Sequence, residues 1–258
     1  MRVVNLGSGS KGNCTFVECG GHRILVDVGF SYREISSRLS QIDVEISSID
    51  TVLITHEHID HVRGLMQMIK NGKQVYIEEN CARVLGITNK LNVHTLSGSE
   101  FTIDDIIITP FYLSHDSIAC LGYRIAYENA KVGFMTDTGI VPGEAISILG
   151  ECKLVFIESN HDEQMLMGCG YPYLVKKRII SDIGHLSNTQ CGKAMVQLQY
   201  LGVKHFVLSH ISENSNTKEL ACQTVADILT NSGLVIGGDI VVRLTRQDEK
   251  SNNFIIGE

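Results

Sequence analysis

The sequence predicts an α/β fold in one domain over residues 1–258, in which two mixed β-sheets are covered by helices on their outer faces. Of the 258 residues, 43% are hydrophobic and 20% are charged, so the chain can bury one large core and is not typical of a disordered protein. Short strands come first, and strands and helices then alternate in each half of the chain. The 24 glycines suit many tight turns between short elements.

In the first half, short apolar and β-branched runs predict the strands, and helical spacing of apolar residues predicts the helices. The predicted strands are Arg2–Leu6, Cys14–Glu18, Arg23–Val28, Thr51–Thr55, Val75–Ile77 and Val93–Leu96. The predicted helices are Tyr32–Leu39 and Val62–Lys70.

The second half repeats this logic. Its predicted strands are Ile106–Ile108, Cys120–Ala126, Val132–Thr136, Leu154–Ile157 and Phe206–Leu208. Its predicted helices are Ala145–Leu149, Asn188–Leu201 and Thr217–Leu229. A final hairpin is predicted over Leu234–Leu244, with its turn at Gly237-Gly238-Asp239. The segment Met165–Gly184 has the weakest periodicity and is interpreted as a long functional loop.

The formal net charge of −7 argues against nucleic-acid binding by bulk electrostatics, so any such contact must be local. No stretch reaches 18 apolar residues, which predicts no membrane span, and the N-terminus lacks the long apolar core of a signal peptide. The eight cysteines form no Cys-X-X-Cys pair. We therefore expect reduced, mostly buried thiols in a cytoplasmic protein.

The most informative stretch is Thr55-His56-Glu57-His58-Ile59-Asp60-His61, which directly follows a predicted buried strand. His56 and His58 can direct both imidazoles at one point if the turn after the strand is tight. Asp60 and His61 follow one turn later and can face a second point nearby. Because imidazole and carboxylate ligands together suit zinc, manganese or iron, this stretch predicts a metal site.

Three further candidate ligands, His115, Asp137 and His210, each follow a predicted strand, where functional residues normally lie. With the four ligands of the first stretch they make seven, a number that fits two metal ions sharing one carboxylate. The histidines without such a context, which are predicted to be structural, are His22, His94 and His205.

The His-X-His-X-Asp-His stretch and the three later single ligands resemble the pattern of the metallo-β-lactamase-fold superfamily across essentially the whole chain. The resemblance implies a four-layer αβ/βα sandwich that holds two divalent metal ions. It implies that Asp137 bridges them. The implied ligands of one ion are His56, His58 and His115, and those of the other are Asp60, His61 and His210. The metal can be zinc, manganese, iron or nickel, since these ligands discriminate weakly among them.

A second motif, Gly184-His185-Leu186-Ser187-Asn188, opens a predicted helix. It resembles the Gly-His-Ser-Thr stretch of the transfer-RNA-processing endonuclease Z family, in which the histidine is a proposed proton donor. Glu158, which follows a buried strand, resembles the glutamate that orients that histidine. The resemblance therefore implies His185 as donor, held by Glu158, with Asp60 as a further catalytic residue. His161 could belong to the site or to a polar turn.

Several residues are candidates for phosphate contact. The loop Gly7-Ser8-Gly9-Ser10-Lys11-Gly12-Asn13 can present N–H groups and hydroxyls to an anion, although a simple turn explains it equally well. Lys176-Lys177-Arg178 is the most basic run of the chain and lies just before His185. Arg178 is favoured in this run because a guanidinium can bind phosphate through two bonds. The resulting candidates are Ser8, Ser10, Asn13, Arg178 and Ser187.

Taken together, these motifs resemble the bacterial WalJ/YycJ-type family, described as DNA exonucleases that degrade from the 5′ end and are linked to DNA repair. The resemblance implies a DNA exonuclease in which a hydroxide generated by two metal ions attacks phosphorus. Two alternatives stay open. One is a hydrolase of the same fold that acts on a small ester, lactone or cyclic phosphodiester. The other is a non-catalytic, metal-dependent binding or sensory protein.

Overall fold

The computed structural model describes residues 1–247, 250–251 and 253–257, and within them it contains two seven-stranded mixed sheets. The strands of the first sheet are β1 (Arg2–Gly7), β2 (Cys14–Cys19), β3 (His22–Val26), β4 (Thr51–Leu53), β5 (Gln74–Glu78), β6 (Val93–Leu96) and β14 (Phe254–Ile255). Those of the second are β7 (Phe101–Ile103), β8 (Ile106–Leu113), β9 (Cys120–Tyr127), β10 (Ala130–Met135), β11 (Leu154–Glu158), β12 (His205–Ser209) and β13 (Val241–Leu244).

Both sheets change from antiparallel to parallel pairing part-way across. The first runs β14-β1-β2-β3-β4-β5-β6 and becomes parallel from the β3–β4 pair onward. The second runs β13-β12-β11-β10-β9-β8-β7, with parallel pairs among β10 to β13. Parallel neighbours place their carboxyl ends at the same edge of a sheet, and that edge of each sheet carries the candidate site.

The helices lie in chain order between these strands. They are α1 (Tyr32–Ser40), α2 (Ile59–Val62), α3 (Leu65–Lys70), α4 (Glu79–Val84), α5 (Gly143–Leu149), α6 (Glu163–Gly168), α7 (Tyr173–Ile179), α8 (Asn188–Tyr200) and α9 (Lys218–Asn231), with a short 3₁₀ turn at Ile46–Ser48. Ser31 and Ser187 cap α1 and α8 through complete capping boxes, which satisfy otherwise unpaired amides of the first turn.

Three apolar clusters divide the molecule into four layers. One cluster lies between the sheets, where Phe134 stacks on Phe156 with ring centroids 5.1 Å apart. A second joins the first sheet to helices α1, α3 and α4. A third joins the second sheet to α5, α8 and α9. This helix–sheet–sheet–helix order confirms the predicted α/β sandwich, and most predicted strands are found within one or two residues of their predicted ends.

The segment Met165–Gly184 is not the long loop that we predicted, because it contains α7 and most of α6. The Asp162 side chain accepts a hydrogen bond from the Met165 amide and starts α6, and Pro172 precedes α7 in an extended conformation. The periodicity is weak because each helix buries a single apolar side chain, Leu166 in α6 and Ile179 in α7. Short helices on a surface therefore lack the apolar stripe that a sequence pattern can detect.

Two other predictions are corrected. The Leu234–Leu244 hairpin is wrong, because only β13 forms a strand there, and it pairs in parallel with β12 rather than with its own predecessor. The chain enters β13 from α9, and such a crossover returns a strand in parallel orientation. The predicted helix Val62–Lys70 is divided at Gly64, whose amide donates to the Val28 carbonyl instead of continuing the helix.

Among the described residues, none of the helices combines the length and apolar character that crossing a bilayer requires. No disulfide joins the eight cysteines, all of which are described, and six of them are buried.

Replacing Phe156 with Ala should destabilise the core between the sheets. The ring is 2% exposed, so the truncation removes buried surface and leaves a cavity. We expect a loss of about 3–5 kcal/mol in the free energy of unfolding, measured by urea denaturation of metal-stripped protein. Ile107→Ala is the control, because that side chain is 39% exposed on β8 and should lose under about 1 kcal/mol. Equal losses for the two variants would contradict this account.

Candidate metal centre

The His-X-His-X-Asp-His stretch forms a tight turn from β4 into α2. His58 is the N-cap of α2, so His56 and His58 precede the helix while Asp60 and His61 lie within it. The turn aims the histidines at a common region, with ring centroids of His56 and His58 4.6 Å apart and those of His56 and His61 4.1 Å apart. The turn thus brings all three rings together, with His56 slightly closer to His61 than to His58.

The second sheet brings the other candidates to the same place. His115 follows β8, and its ring lies 5.1 Å from the rings of both His56 and His58. His210 follows β12, and its Nε2 lies 3.8 Å from Oδ2 of Asp60. On the same side, Nε2 of His61 lies 3.4 Å from that carboxylate oxygen.

Asp137 lies between the two groups. Its Oδ2 is 3.5 Å from Nε2 of His61, and its Oδ1 is 3.1 Å from Nδ1 of His210. In each of four sets of residues, the potential ligand atoms lie within 4.8 Å of one another. The sets are His56/His58/His115, Asp60/His61/His210, His56/His61/Asp137 and Asp137/Glu158/His185/His210. Asp137 is therefore within ligand distance of His56 from one group and of His61 and His210 from the other.

The chemistry of these residues fits divalent ions. Nε2 of His56, Nε2 of His210 and Oδ2 of Asp137 are all buried and have no hydrogen-bond partner. Leaving such atoms unpaired in the interior costs about 1–3 kcal/mol each, so three of them in one cluster fit a site that binds metal ions. Imidazole and carboxylate donors together suit zinc, manganese, iron and nickel.

An outer carboxylate that the sequence analysis missed holds part of this centre. Asp27 follows β3 and accepts a hydrogen bond of 2.8 Å from Nδ1 of His61, which leaves Nε2 of that ring for the centre. Asp27 also accepts from the amide and hydroxyl of Thr55. Carboxylates in this position orient metal-binding histidines and raise their basicity. A lone Asp after a strand gives no sequence signal of such a role.

Glu158 is the corresponding anchor on the second sheet. It is completely buried at the end of β11, and its Oε1 accepts from Nδ1 of His185 at 2.9 Å and from Nδ1 of His210 at 2.8 Å. Its Oε2 accepts from the amides of Leu186 and Thr138. The expected contact between Glu158 and His185 is present, and the same carboxylate also fixes His210.

Burial and neighbouring charges shift the pKa values of these groups in opposite directions. Burial lowers the pKa of His56 well below its usual value, and the nearby imidazoles of His61 and His115 lower it further. Burial also disfavours charge on Glu158, but the His185 and His210 rings outweigh it and hold the pKa of this carboxyl well below normal. A neutral His56 and an ionised Glu158 are the forms that a ligand and an orienting carboxylate need.

The backbone is unusual at three residues of the centre. Asp27, Asp137 and His210 all have positive φ, between 53° and 62°. Non-glycine residues adopt this conformation rarely, and it costs of order 1 kcal/mol or more each. Each of the three follows a strand and contacts a histidine or carboxylate of the cluster. Gly29 lies against the backbone of Asp60. An added Cβ at this position would lie 1.6 Å from the Asp60 carbonyl oxygen, so only glycine fits.

Three of the five phosphate candidates form hydrogen bonds with other residues of the protein. The Ser8 hydroxyl accepts from the His210 amide and donates to Asn13. The Asn13 amide nitrogen lies 3.1 Å from Nε2 of His61. Ser187 caps α8 and donates to Glu163. All three serine and asparagine side chains are buried, which leaves them little access to a substrate.

The other two candidates, Ser10 and Arg178, lie on an open cleft above the centre. This cleft has a volume of about 270 Å³ and is also lined by His58, Asp60, His115, Asp137, Asn160, Tyr171, Val175, Ile179, His185, His210 and Ser212. Arg178 reaches across from α7 to form a two-bond ion pair with Asp116, a partner that the sequence did not reveal.

The remaining histidines lie outside the cluster. His22 pairs with Asp104 and His94 with Gln74, in contacts between side chains at the surface. His205 begins β12, at the end of the strand opposite His210. His161 is buried next to Ser187 and does not line the cleft.

Comparison with known proteins shows the family of this chain. A family model described as the β-lactamase superfamily domain matches residues 22–211. Over 252 residues the chain is 35% identical to exodeoxyribonuclease WalJ of Streptococcus pneumoniae. The aligned region covers 94% of this chain and 93% of the relative. The chain belongs to the WalJ/YycJ family of the metallo-β-lactamase fold.

Another member of this family, exodeoxyribonuclease YycJ of Bacillus anthracis, is 32% identical over 90% of each chain. Among solved structures, the metallo-β-lactamase fold protein YhfI of Bacillus subtilis superposes with a TM-score of 0.72. It covers 97% of this chain and 98% of its own, at 15% identity, and therefore supports the fold alone.

Replacing Asp27 with Asn should weaken metal binding without removing a ligand. The amide is a poorer acceptor for the Nδ1 proton of His61, so the ring loses basicity and orientation. We expect the affinity for Zn²⁺ or Mn²⁺ to fall about 10- to 100-fold, measured by competition with a chromophoric chelator. The matched control is Asp104→Asn, which alters a carboxylate–histidine contact of the same 2.8 Å length at His22. An unchanged affinity in Asp27→Asn would contradict the role of this carboxylate.

Proposed function

We propose that this protein is a nuclease dependent on two divalent metal ions, and that it removes nucleotides from the 5′ end of DNA. The observation that carries the proposal is the placement of His185, whose Nδ1 is held by Glu158 while its ring lines the cleft shared by both groups of ligands. The relatives named exodeoxyribonucleases support DNA as the substrate. The polarity from the 5′ end rests on the family resemblance.

Seven side chains would hold the ions. His56, His58 and His115 would bind one, Asp60, His61 and His210 the other, and Asp137 both. Bound there, the two ions would lower the pKa of a water molecule to near neutrality and neutralise charge on the phosphate. The chain itself contributes the fixed geometry of these ligands, through Asp27 on one sheet and Glu158 on the other.

His185 is suited to protonate the oxygen that leaves phosphorus. Its Nδ1 proton is donated to Glu158, so the second ring nitrogen, Nε2, is the one that can deliver a proton to a substrate in the cleft. The contact with Glu158 also fixes the orientation of the ring in the cleft. After the transfer, His185 is neutral and Glu158 still fixes its tautomer.

Ser10 and Arg178 would hold the phosphate, since they are the phosphate candidates on the cleft. Arg178 is already paired with Asp116, so binding a phosphate through two bonds requires it to exchange one anionic partner for another. The guanidinium of Arg178 is planar, and the position of α7 sets how far it reaches.

The proposal is tested with DNA labelled at the 5′ or the 3′ end and protein reconstituted with Mn²⁺ or Zn²⁺. We expect shortening from the 5′ end that is lost in metal-stripped protein. His185→Ala should lower kcat on DNA about 10²- to 10⁴-fold, because the alkoxide then leaves without a proton. His94→Ala, which alters a surface histidine, should leave kcat unchanged.

Bis-p-nitrophenyl phosphate separates proton donation from simple damage to the site. Its leaving group needs little protonation, so His185→Ala should affect this substrate far less than DNA. Equal losses on both substrates would assign His185 to the metal centre instead. Intact DNA with cleavage of bis-p-nitrophenyl phosphate or a thioester would replace the nuclease proposal with a small-ester hydrolase. Metal binding without any turnover would favour a binding or sensory protein.

A further inference from the structure

One side of the cleft is apolar. Among the described residues that line the cleft, three carry a large apolar surface, namely Tyr171, Val175 and Ile179, whereas the others are histidines or have charged, amide or hydroxyl side chains. Val175 and Ile179 are four residues apart in α7 and therefore lie on the same face of the helix. Tyr171 comes two residues before α7 and is half-buried. We call these three side chains the apolar wall of the cleft.

Hydrogen bonds fix this wall at both ends. At one end, the Ile179 carbonyl accepts from the His185 amide at 2.9 Å, so α7 ends against the candidate proton donor. Gly184 permits this close approach, because an added Cβ there would lie 2.1 Å from the Ile179 carbonyl oxygen. At the other end, the Tyr171 hydroxyl accepts at 2.8 Å from Nδ2 of Asn214, which lies in the loop after β12. The apolar wall is thus held between the candidate proton donor and that loop.

The chemistry of the apolar wall does not suit a phosphate, which needs charge and hydrogen-bond donors. In the proposed site, the metal ions and Arg178 supply these to the phosphate. The part of a nucleotide that matches a surface of one aromatic ring and two aliphatic side chains is the flat face of its base. A base placed against this wall removes apolar surface from water, which favours binding.

We infer that the apolar wall binds the base of the nucleotide that the enzyme releases, with the ring of Tyr171 stacked on that base. His185 protonates the oxygen that leaves phosphorus, while a hydroxide oxygen bonds to phosphorus. When the P–O3′ bond at a 5′ end breaks, the leaving oxygen belongs to the terminal nucleotide. Because the wall ends against His185, the terminal base is the one beside it. The inference rests on the proposed nuclease function and adds a residue that positions the departing nucleotide.

The test uses two DNA molecules that differ only in the base of the terminal nucleotide. Both have a short unpaired 5′ end, and in one of them the terminal nucleotide is abasic, so that no base pair is lost. For wild-type protein, loss of the base should lower kcat/KM about 5- to 150-fold, since stacking on one base contributes this much. Tyr171→Ala should cause a similar loss on the natural DNA and no further loss on the abasic DNA. Such non-additivity shows that the ring and the base contact each other.

Three further variants serve as controls. Tyr171→Phe keeps the ring and should retain activity on both DNA molecules. Val175→Thr introduces a hydroxyl into the wall at nearly constant volume, and it should lower kcat/KM for the natural DNA but not for the abasic DNA. The matched control is Tyr173→Ala, because Tyr173 lies in α7, is 70% exposed and does not line the cleft. This change should leave both values unaffected.

The outcomes separate this inference from the nuclease proposal. If Tyr171→Ala cleaves the natural DNA as well as wild-type protein does, the wall does not bind the base, while the nuclease proposal stands. If Tyr171→Ala and Val175→Thr lose the same factor on both DNA molecules, these residues support the fold or the metal centre, and the inference is overturned. If wild-type protein cleaves bis-p-nitrophenyl phosphate but no DNA, the nuclease proposal fails and this inference fails with it.

Discussion

The buried carboxylate of Glu158 is the contact on which the rest of the site depends. It accepts hydrogen bonds from Nδ1 of both His185 and His210 and from two backbone amides, so one side chain fixes a candidate ligand and a candidate proton donor. A buried charge is tolerated only where it is fully hydrogen-bonded. Truncating it would leave the two histidines without the hydrogen bonds that orient them.

Asp27 performs the same physical task on the other sheet. It is buried, follows β3 and fixes His61 and Thr55 by hydrogen bonds. The two carboxylates thus lie behind the centre on opposite sides, each in contact with the Nδ1 atom of a histidine whose Nε2 faces inward. This symmetry of support makes both sheets necessary for the site, since neither sheet carries a complete set of ligands and their anchors.

The fold explains why these groups meet. The two sheets place the carboxyl ends of their parallel strands at one edge, and Asp27, Asp137 and His210 leave that edge with positive φ. The strain is tolerated because the surrounding layers bury extensive apolar surface, including the stacked Phe134 and Phe156 between the sheets. Stable packing below the edge and strained backbone at the edge are features that commonly occur together at functional sites.

The sequence was sufficient for the α/β class, for most strands and for the stretch from His56 to His61, because periodicity and ligand spacing are local properties. It was insufficient for α6 and α7, whose faces bury too little apolar surface to produce a pattern. The final strand, β13, was placed in the wrong pairing because its partner β12 lies more than thirty residues earlier in the chain.

For the candidate site, too, the sequence determined one part and the tertiary structure the other. Residue type and spacing indicated the seven candidate ligands, and the family resemblance implied the pairing of Glu158 with His185. Only the tertiary structure showed that Asp27 holds His61, that Ser8 is occupied by the His210 amide, and that Arg178 is paired with Asp116. The reason is physical, since each of these hydrogen bonds joins residues that are far apart in sequence and is made possible only when the two sheets pack together.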